Sequence, residues 1–252
     1  MQSLSQPTFL FLDFDGVICH SLEECYRSSW LASSEVVITE VLPPDPPFGK
    51  EYRSRFDACR PFIRSGEDYL VAHEWAARGL VPPDQASFDQ SLKEKGTEVL
   101  MGLKARLYAV RDRLMALHRE LWLSWNPLFE GFASVLIEQA DNPEVFILST
   151  KKAEFIAEIL GHHQVIWPLE RILYTGNRKK LDIIEEVSAS TLTSILIDDQ
   201  VEHLRFDDPN CQCFLALWGY VAREAVAKAP ATLTLAEALD LTKNFPRRLR
   251  GG

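Results

Sequence analysis

The chain has 252 residues, 46% of them hydrophobic and 25% charged, with a formal net charge of −9. A chain of this length buries most of the surface it exposes when unfolded and stands near the size at which one core divides, so a large domain with a smaller one is expected. The acidic balance gives no overall attraction to polyphosphate and speaks against a nucleic-acid partner.

The opening MQSLSQPTFLFLDFDG has no basic n-region and its apolar run breaks at Asp13, so it reads neither as a signal peptide nor as an anchor. No apolar run reaches the roughly 18 residues needed to cross a bilayer, and no membrane partner is expected. Five cysteines, Cys19, Cys25, Cys59, Cys211 and Cys213, are odd in number and contain no CxxC pair. That excludes a disulfide framework or zinc site as the reading and fits a reducing cytoplasm.

Residues 8–12 form a short apolar run that gives way at once to acidic residues and Gly16, the pattern of a buried parallel strand ending at a site-bearing edge. Residues 20–135 carry helical stretches and proline-rich turns without a convincing buried strand, and are read as an inserted, mainly α-helical cap domain. Within them, 41–49 holds four prolines in nine residues and is predicted to be loop. Leu100, Leu103, Leu107, Val110, Leu114, Leu117 and Leu121 recur at spacings of three and four. This predicts one long helix with a narrow apolar seam, the spine of the cap and a candidate surface for a homodimer.

Strand patterns then return at 144–148, 171–174, 193–197 and 213–217, alternating with helical patterns at 152–160, stopped by Gly161, at 181–187 and at 222–227. The alternation predicts an α/β fold, a Rossmann-like open parallel sheet with helices on both faces, built from 1–19 and 136–252. Ligands of such sheets bind beyond the carboxyl ends of the strands, where Asp13, Ser149, Asp198 and Asp199 stand. The basic tail 243–252 is expected to lie outside the packed fold.

Chemistry concentrates in DFDGV at 13–17. Alternation in extended backbone puts Asp13 and Asp15 on one side, with Phe14 on the other. Two bare carboxylates there repel, so one is neutralised or a hard cation with oxygen ligands sits beside them. One carboxylate can attack a phosphoryl group while a second carboxyl protonates the leaving oxygen. The plain alternative is a solvated aspartate at a strand end and a turn aspartate before Gly16.

Four segments in order, FLFLDFDGV at 9–17, VFILSTK at 145–151, RKKLDII at 178–184 and SILIDDQVE at 194–202, resemble the haloacid dehalogenase-like hydrolases. The resemblance is to the phosphoglycolate-phosphatase-like branch with a helical cap. It implies a phosphatase in which Asp13 is the nucleophile that takes up the phosphoryl group as an aspartyl-phosphate. Asp15 would serve as acid and then base. Ser149 and a lysine, Lys180 or Lys179 with the helical pattern favouring Lys180, would hold the phosphoryl oxygens. Mg²⁺ would be held by Asp13, the backbone carbonyl of Asp15, Asp198 and Asp199, with the direct ligand among the last two left open.

Thr150 is the expected N-cap of the helix that follows it, and Glu202 either supports the metal or is a solvated first-turn residue. In the cap, Arg53, Arg55, Arg60 and Arg64 either read a second anionic group on a small phosphorylated metabolite or are solvated helix surface. A phosphomutase and a non-catalytic binding protein on the same fold remain the rival readings.

Overall fold

The computed structural model describes residues 8–34, 36–188 and 193–247. They divide into two compact units, Met1–His20 with Leu128–Gly252, and Ser21–Pro127.

The first unit is built on six parallel strands, β1 (Phe9–Leu12), β2 (Val145–Ser149), β3 (Ile172–Tyr174), β4 (Ser194–Asp198), β5 (Cys211–Ala216) and β6 (Thr232–Leu233), in the order β3-β2-β1-β4-β5-β6. The central strands are apolar on both faces, as a sheet covered on both sides requires; Leu10, Phe11, Leu12, Ile147, Leu148, Leu196 and Ile197 are fully buried. The chain winds outward from β1 through β2 and β3, then restarts on its other side with β4. The order therefore reverses between β1 and β4, which pair in register from Phe9 with Ser194 to Leu12 with Ile197. Asp13 follows β1 and Asp198 ends β4, so both emerge at this switch point, where the diverging connections leave a crevice.

The second unit is helical: α1 (Leu22–Ser33), α2 (Lys50–Cys59), α3 (Gly66–Ala77), α4 (Gln85–Lys95), α5 (Thr97–Leu117) and α6 (Arg119–Ser124). No strand occurs among its described residues, and 41–49 carries neither helix nor strand. The predicted long seam is shorter than its leucines suggest. It ends at Leu117 because His118 leaves helical geometry, with φ −137° and ψ 42°, and Leu121 belongs to α6. The buried stripe of α5 is Leu103, Leu107, Arg111 and Leu114, with the arginine paired to Glu24 through Nε at 2.8 Å and Nη2 at 2.7 Å.

Helices α7 (Phe132–Gln139), α8 (Ala153–His162), α9 (Lys180–Ser188), α10 (Arg223–Lys228) and α11 (Leu235–Lys243) complete the first unit. Gly161 does not stop α8; the helix continues through His162, and the left-handed residue after it is Gln164, φ 62°. Both β6 and α11 lie in sequence the pattern reading left unassigned. The tail also begins inside the fold: Lys243 closes α11, its carbonyl accepts Gln139 Nε2 at 2.8 Å, and Phe245 is buried. Residues 248–252 fall outside the described part. All five cysteines are buried and none is in a disulfide, with the Cys211 and Cys213 sulfurs 3.9 Å apart on one face of β5. Among the described residues no helix is long and apolar enough to cross a membrane.

Candidate active site at the carboxyl edge of the sheet

Asp13 is one residue past β1, its backbone N–H still donating to Ile197 O at 2.9 Å, so the ladder of the two central strands fixes its position. Its carboxyl is buried, and Oδ1 lies 2.7 Å from Lys180 Nζ. The same ammonium donates to Asp198 Oδ2 at 2.6 Å, so one lysine at the start of α9 joins the ends of β1 and β4. Lys180 is buried because Ile183 and Ile184, one turn on, pack into the sheet core, whereas Lys179 is exposed. Burial disfavours the Lys180 charge, but Asp13 and Asp198 outweigh it and hold the ammonium above its ordinary range.

The two carboxylates are tuned in opposite directions. Burial pushes Asp13 up, and Lys180 offsets it only in part. Burial acts on Asp198 in the same sense, but there Lys180 and His203 prevail and hold it well below the carboxylate range. Asp198 has the richer set of partners: Gln200 N donates to Oδ1 at 2.8 Å, and His203 Nδ1 lies 3.1 Å from Oδ2. Asp199 is also buried, its Oδ2 accepting from Tyr220 N at 2.9 Å. Two glycines make room for it. A Cβ on Gly16, whose φ is +92°, would fall 2.6 Å from Asp199 Cγ, and one on Gly219 would fall 2.6 Å from Gly16 O.

Asp13, Asp198 and Asp199 each offer a carboxylate oxygen within 4.8 Å of the others. Three buried carboxylates, with no sulfur or imidazole among the converging atoms, suit a hard divalent cation, which keeps several waters and needs few protein ligands. Such an ion would also reverse the effect of burial on Asp13. The Asp15 carboxylate stands outside this group; Lys151 Nζ lies 2.9 Å from its Oδ1, a charge contact rather than an aligned hydrogen bond.

Ser149 ends β2 and is buried, its carbonyl accepting Thr175 N at 3.0 Å and its hydroxyl accepting Lys151 N at 3.3 Å. Thr150 is not the cap of α8: that position is Lys152, without a side-chain cap bond. Glu202 is exposed, and the side chain of that turn that reaches Asp198 is His203. Lys151 and His203 were both missed from sequence. Lys151 had a usable signal, since alternation places it on the same side as Ser149; His203 had none, because it sits on a short 3₁₀ turn, Val201–His203, rather than on the helix that a one-turn spacing assumes. Thr150, Thr175, Arg178, Lys180, His203 and Arg205 border a cavity of about 360 Å³.

In the helical unit the four arginines are already engaged. Arg53 pairs with Glu23 and with Asp57 at 2.7 Å; Arg55 reaches Glu51 at 3.2 Å; Arg60 is buried and donates to Ile63 O at 3.3 Å; Arg64 pairs with Asp89. These contacts account for the cluster within the unit, as ion-paired helix surface with one buried member.

No protein-family model and no curated protein matches the sequence. Solved structures do match over nearly the whole chain. A protein of Lactobacillus delbrueckii subsp. bulgaricus assigned as a phosphoglycolate phosphatase superposes with a TM-score of 0.55 at 14% identity, covering 96% of this chain and 100% of its own. A predicted phosphoglycolate phosphatase of Haemophilus somnus gives 0.58 at 15%, covering 95% and 100%. A haloacid dehalogenase-like family hydrolase of Streptococcus pneumoniae gives 0.53 at 15%, covering 93% and 97%. At such identities the likeness is one of fold: the chain has the α/β architecture of haloacid dehalogenase-like proteins.

Proposed function

We propose that the protein is a Mg²⁺-dependent phosphatase that hydrolyses a small phosphorylated metabolite through an aspartyl-phosphate on Asp13. The observation that carries this reading is the junction of Asp13, Lys180 and Asp198 at the switch point, a buried carboxylate joined to a buried ammonium 2.7 Å away. Supporting it are the carboxylate group fit for a hard cation and the phosphatase and hydrolase names of the proteins that share the fold.

Asp13 Oδ attacks phosphorus, the bond from phosphorus to the leaving oxygen breaks, and the proton of Asp15 goes to that oxygen. Asp15, now a carboxylate, takes a proton from the water that attacks the aspartyl-phosphate. Inorganic phosphate departs and Asp13 is restored. Lys180, at the start of α9, and the Ser149 hydroxyl, at the end of β2, hold the phosphoryl oxygens while charge redistributes. Mg²⁺, held by Asp13, Asp198, Asp199 and the carbonyl of Asp15, would supply further positive charge to the phosphoryl oxygens and keep Asp13 ionised.

The test is phosphate release from a panel of phosphorylated sugars, acids and nucleotides and an aryl phosphate, with Mg²⁺ or EDTA, for wild type and Asp13→Asn. Mg²⁺-dependent release lost in the variant is expected. Isomerisation of a phosphorylated substrate without release would replace the reading by a phosphomutase, and silence across the panel by a binding protein.

A further inference from the structure

The four carboxylates of the site, Asp13, Asp15, Asp198 and Asp199, are met by two buried lysines, and the two are not equivalent. Lys180 is shared between Asp13 and Asp198 on the β1–β4 side. Lys151 serves the other side: its side chain is 1% exposed, and its ammonium is 2.9 Å from Asp15 Oδ1. Burying an ammonium this fully is unfavourable unless a charge compensates it, so the residue is held there by what it contacts. Its backbone is set as well, because Lys151 N donates to the hydroxyl of Ser149 and the ammonium lies 5.7 Å from the Phe14 ring centroid, on the residue between the two aspartates.

We propose that Lys151 is a positioning residue for proton transfer. It holds the Asp15 carboxyl through Oδ1 and leaves Oδ2 to carry the proton that passes to the leaving oxygen. No bond to substrate is assigned to it; its effect runs through Asp15. The inference rests on the phosphatase reading above. It divides the labour of the two lysines: Lys180 stabilises the phosphoryl group, and Lys151 serves the leaving group.

This division is read from the dependence of rate on the leaving group. Alkyl phosphates expel a basic alkoxide and need the proton; an aryl phosphate such as 4-nitrophenyl phosphate expels a stable anion and needs it little. Lys151→Met, close in length and uncharged, is expected to slow alkyl phosphates by about tenfold or more while changing the aryl phosphate by less than about threefold, in kcat rather than KM. Lys151→Arg should recover part of the alkyl rate. In an Asp15→Asn background, Lys151→Met should cost nothing further, because the residue through which it acts is already disabled.

Equal losses on both substrate classes, a loss confined to KM, or a full additional loss in the Asp15→Asn background would each overturn the proposal. Should Lys151→Met fail to fold, Lys151→Arg with the same two substrates decides: a selective alkyl deficit supports the proposal and a uniform one defeats it. Wild type that releases phosphate from no substrate would defeat the phosphatase reading itself, and the proposal with it; active wild type with an indifferent Lys151 would defeat the proposal alone.

Discussion

Gly16 and Asp199 occupy one another's space: a single added methyl on Gly16 would come within 2.6 Å of the Asp199 carboxyl carbon. The glycine is needed twice over, since its φ of +92° is also a conformation that side chains resist. Gly16→Ala is expected to lose about 1–3 kcal/mol of stability through backbone strain alone, and to displace Asp199 from the carboxylate group. Thermal unfolding with and without Mg²⁺ separates the two effects. The variant should unfold earlier and should also lose most of the Mg²⁺-induced stabilisation shown by wild type.

The lysine pair at 179–180 gives a sharper contrast. Lys180→Met leaves Asp13 and Asp198 buried without their shared counter-charge and should reduce phosphate release by on the order of 10²-fold or more. Lys179→Met, at an exposed position, should stay within about twofold of wild type. Steady-state kinetics on one substrate suffices, and comparable losses in both would mean that the burial of Lys180 has no catalytic meaning.

Stability of the helical unit depends on a buried pair that joins α1 to α5. Glu24 accepts from Arg111 at 2.7 and 2.8 Å, from Ser28 Oγ at 2.7 Å and from Trp122 Nε1 at 3.1 Å. Removing one partner strands the other charge, so Arg111→Met is expected to cost about 3–5 kcal/mol by urea denaturation. Combining it with Glu24→Leu should recover part of that loss. An additive double variant would show that the pair is not coupled.

His73 supplies a pH signature for the same unit. Burial pushes its imidazole down to about 4, its Nε2 lies 2.9 Å from Ser29 Oγ, and Tyr52 OH lies 2.8 Å from Nδ1. The unfolded chain takes up the proton near 6.5 and the folded one only near 4, so this contribution is present above pH 6.5 and is lost as pH falls toward 4. Between pH 7 and pH 5 the loss is about 2 kcal/mol. Asp68, its carboxyl raised by burial to about 6, titrates over an overlapping range with the opposite sign. The test is therefore the difference between wild type and His73→Gln, whose urea midpoints should converge on going from pH 7 to pH 5. A constant gap would contradict the assignment.

What could be read from the sequence follows how each residue signals itself. Strands β1, β2 and β4 were legible because burial on both faces demands unbroken apolar runs, and Asp13, Ser149, Asp198 and Asp199 because they terminate those runs. Strand β6 has two residues and carries no such run. The seam reading overran α5 because periodicity cannot see the break at His118, and it passed over Arg111, whose burial depends on Glu24, 87 residues away. Tyr220 and His203 act through a loop and a 3₁₀ turn, where contact is set by chain crossings that no local spacing encodes.

The central claim is a covalent bond between Asp13 and phosphorus. It is tested by acid-quenching wild type during turnover, reducing with borohydride, and sequencing the peptide that spans residue 13 by mass spectrometry. Reduction converts an acyl phosphate to homoserine, so homoserine at position 13, Mg²⁺-dependent and absent from Asp13→Asn, is the expected result. Rapid phosphate release with unmodified aspartate at 13, or with homoserine at another carboxylate, would contradict the account.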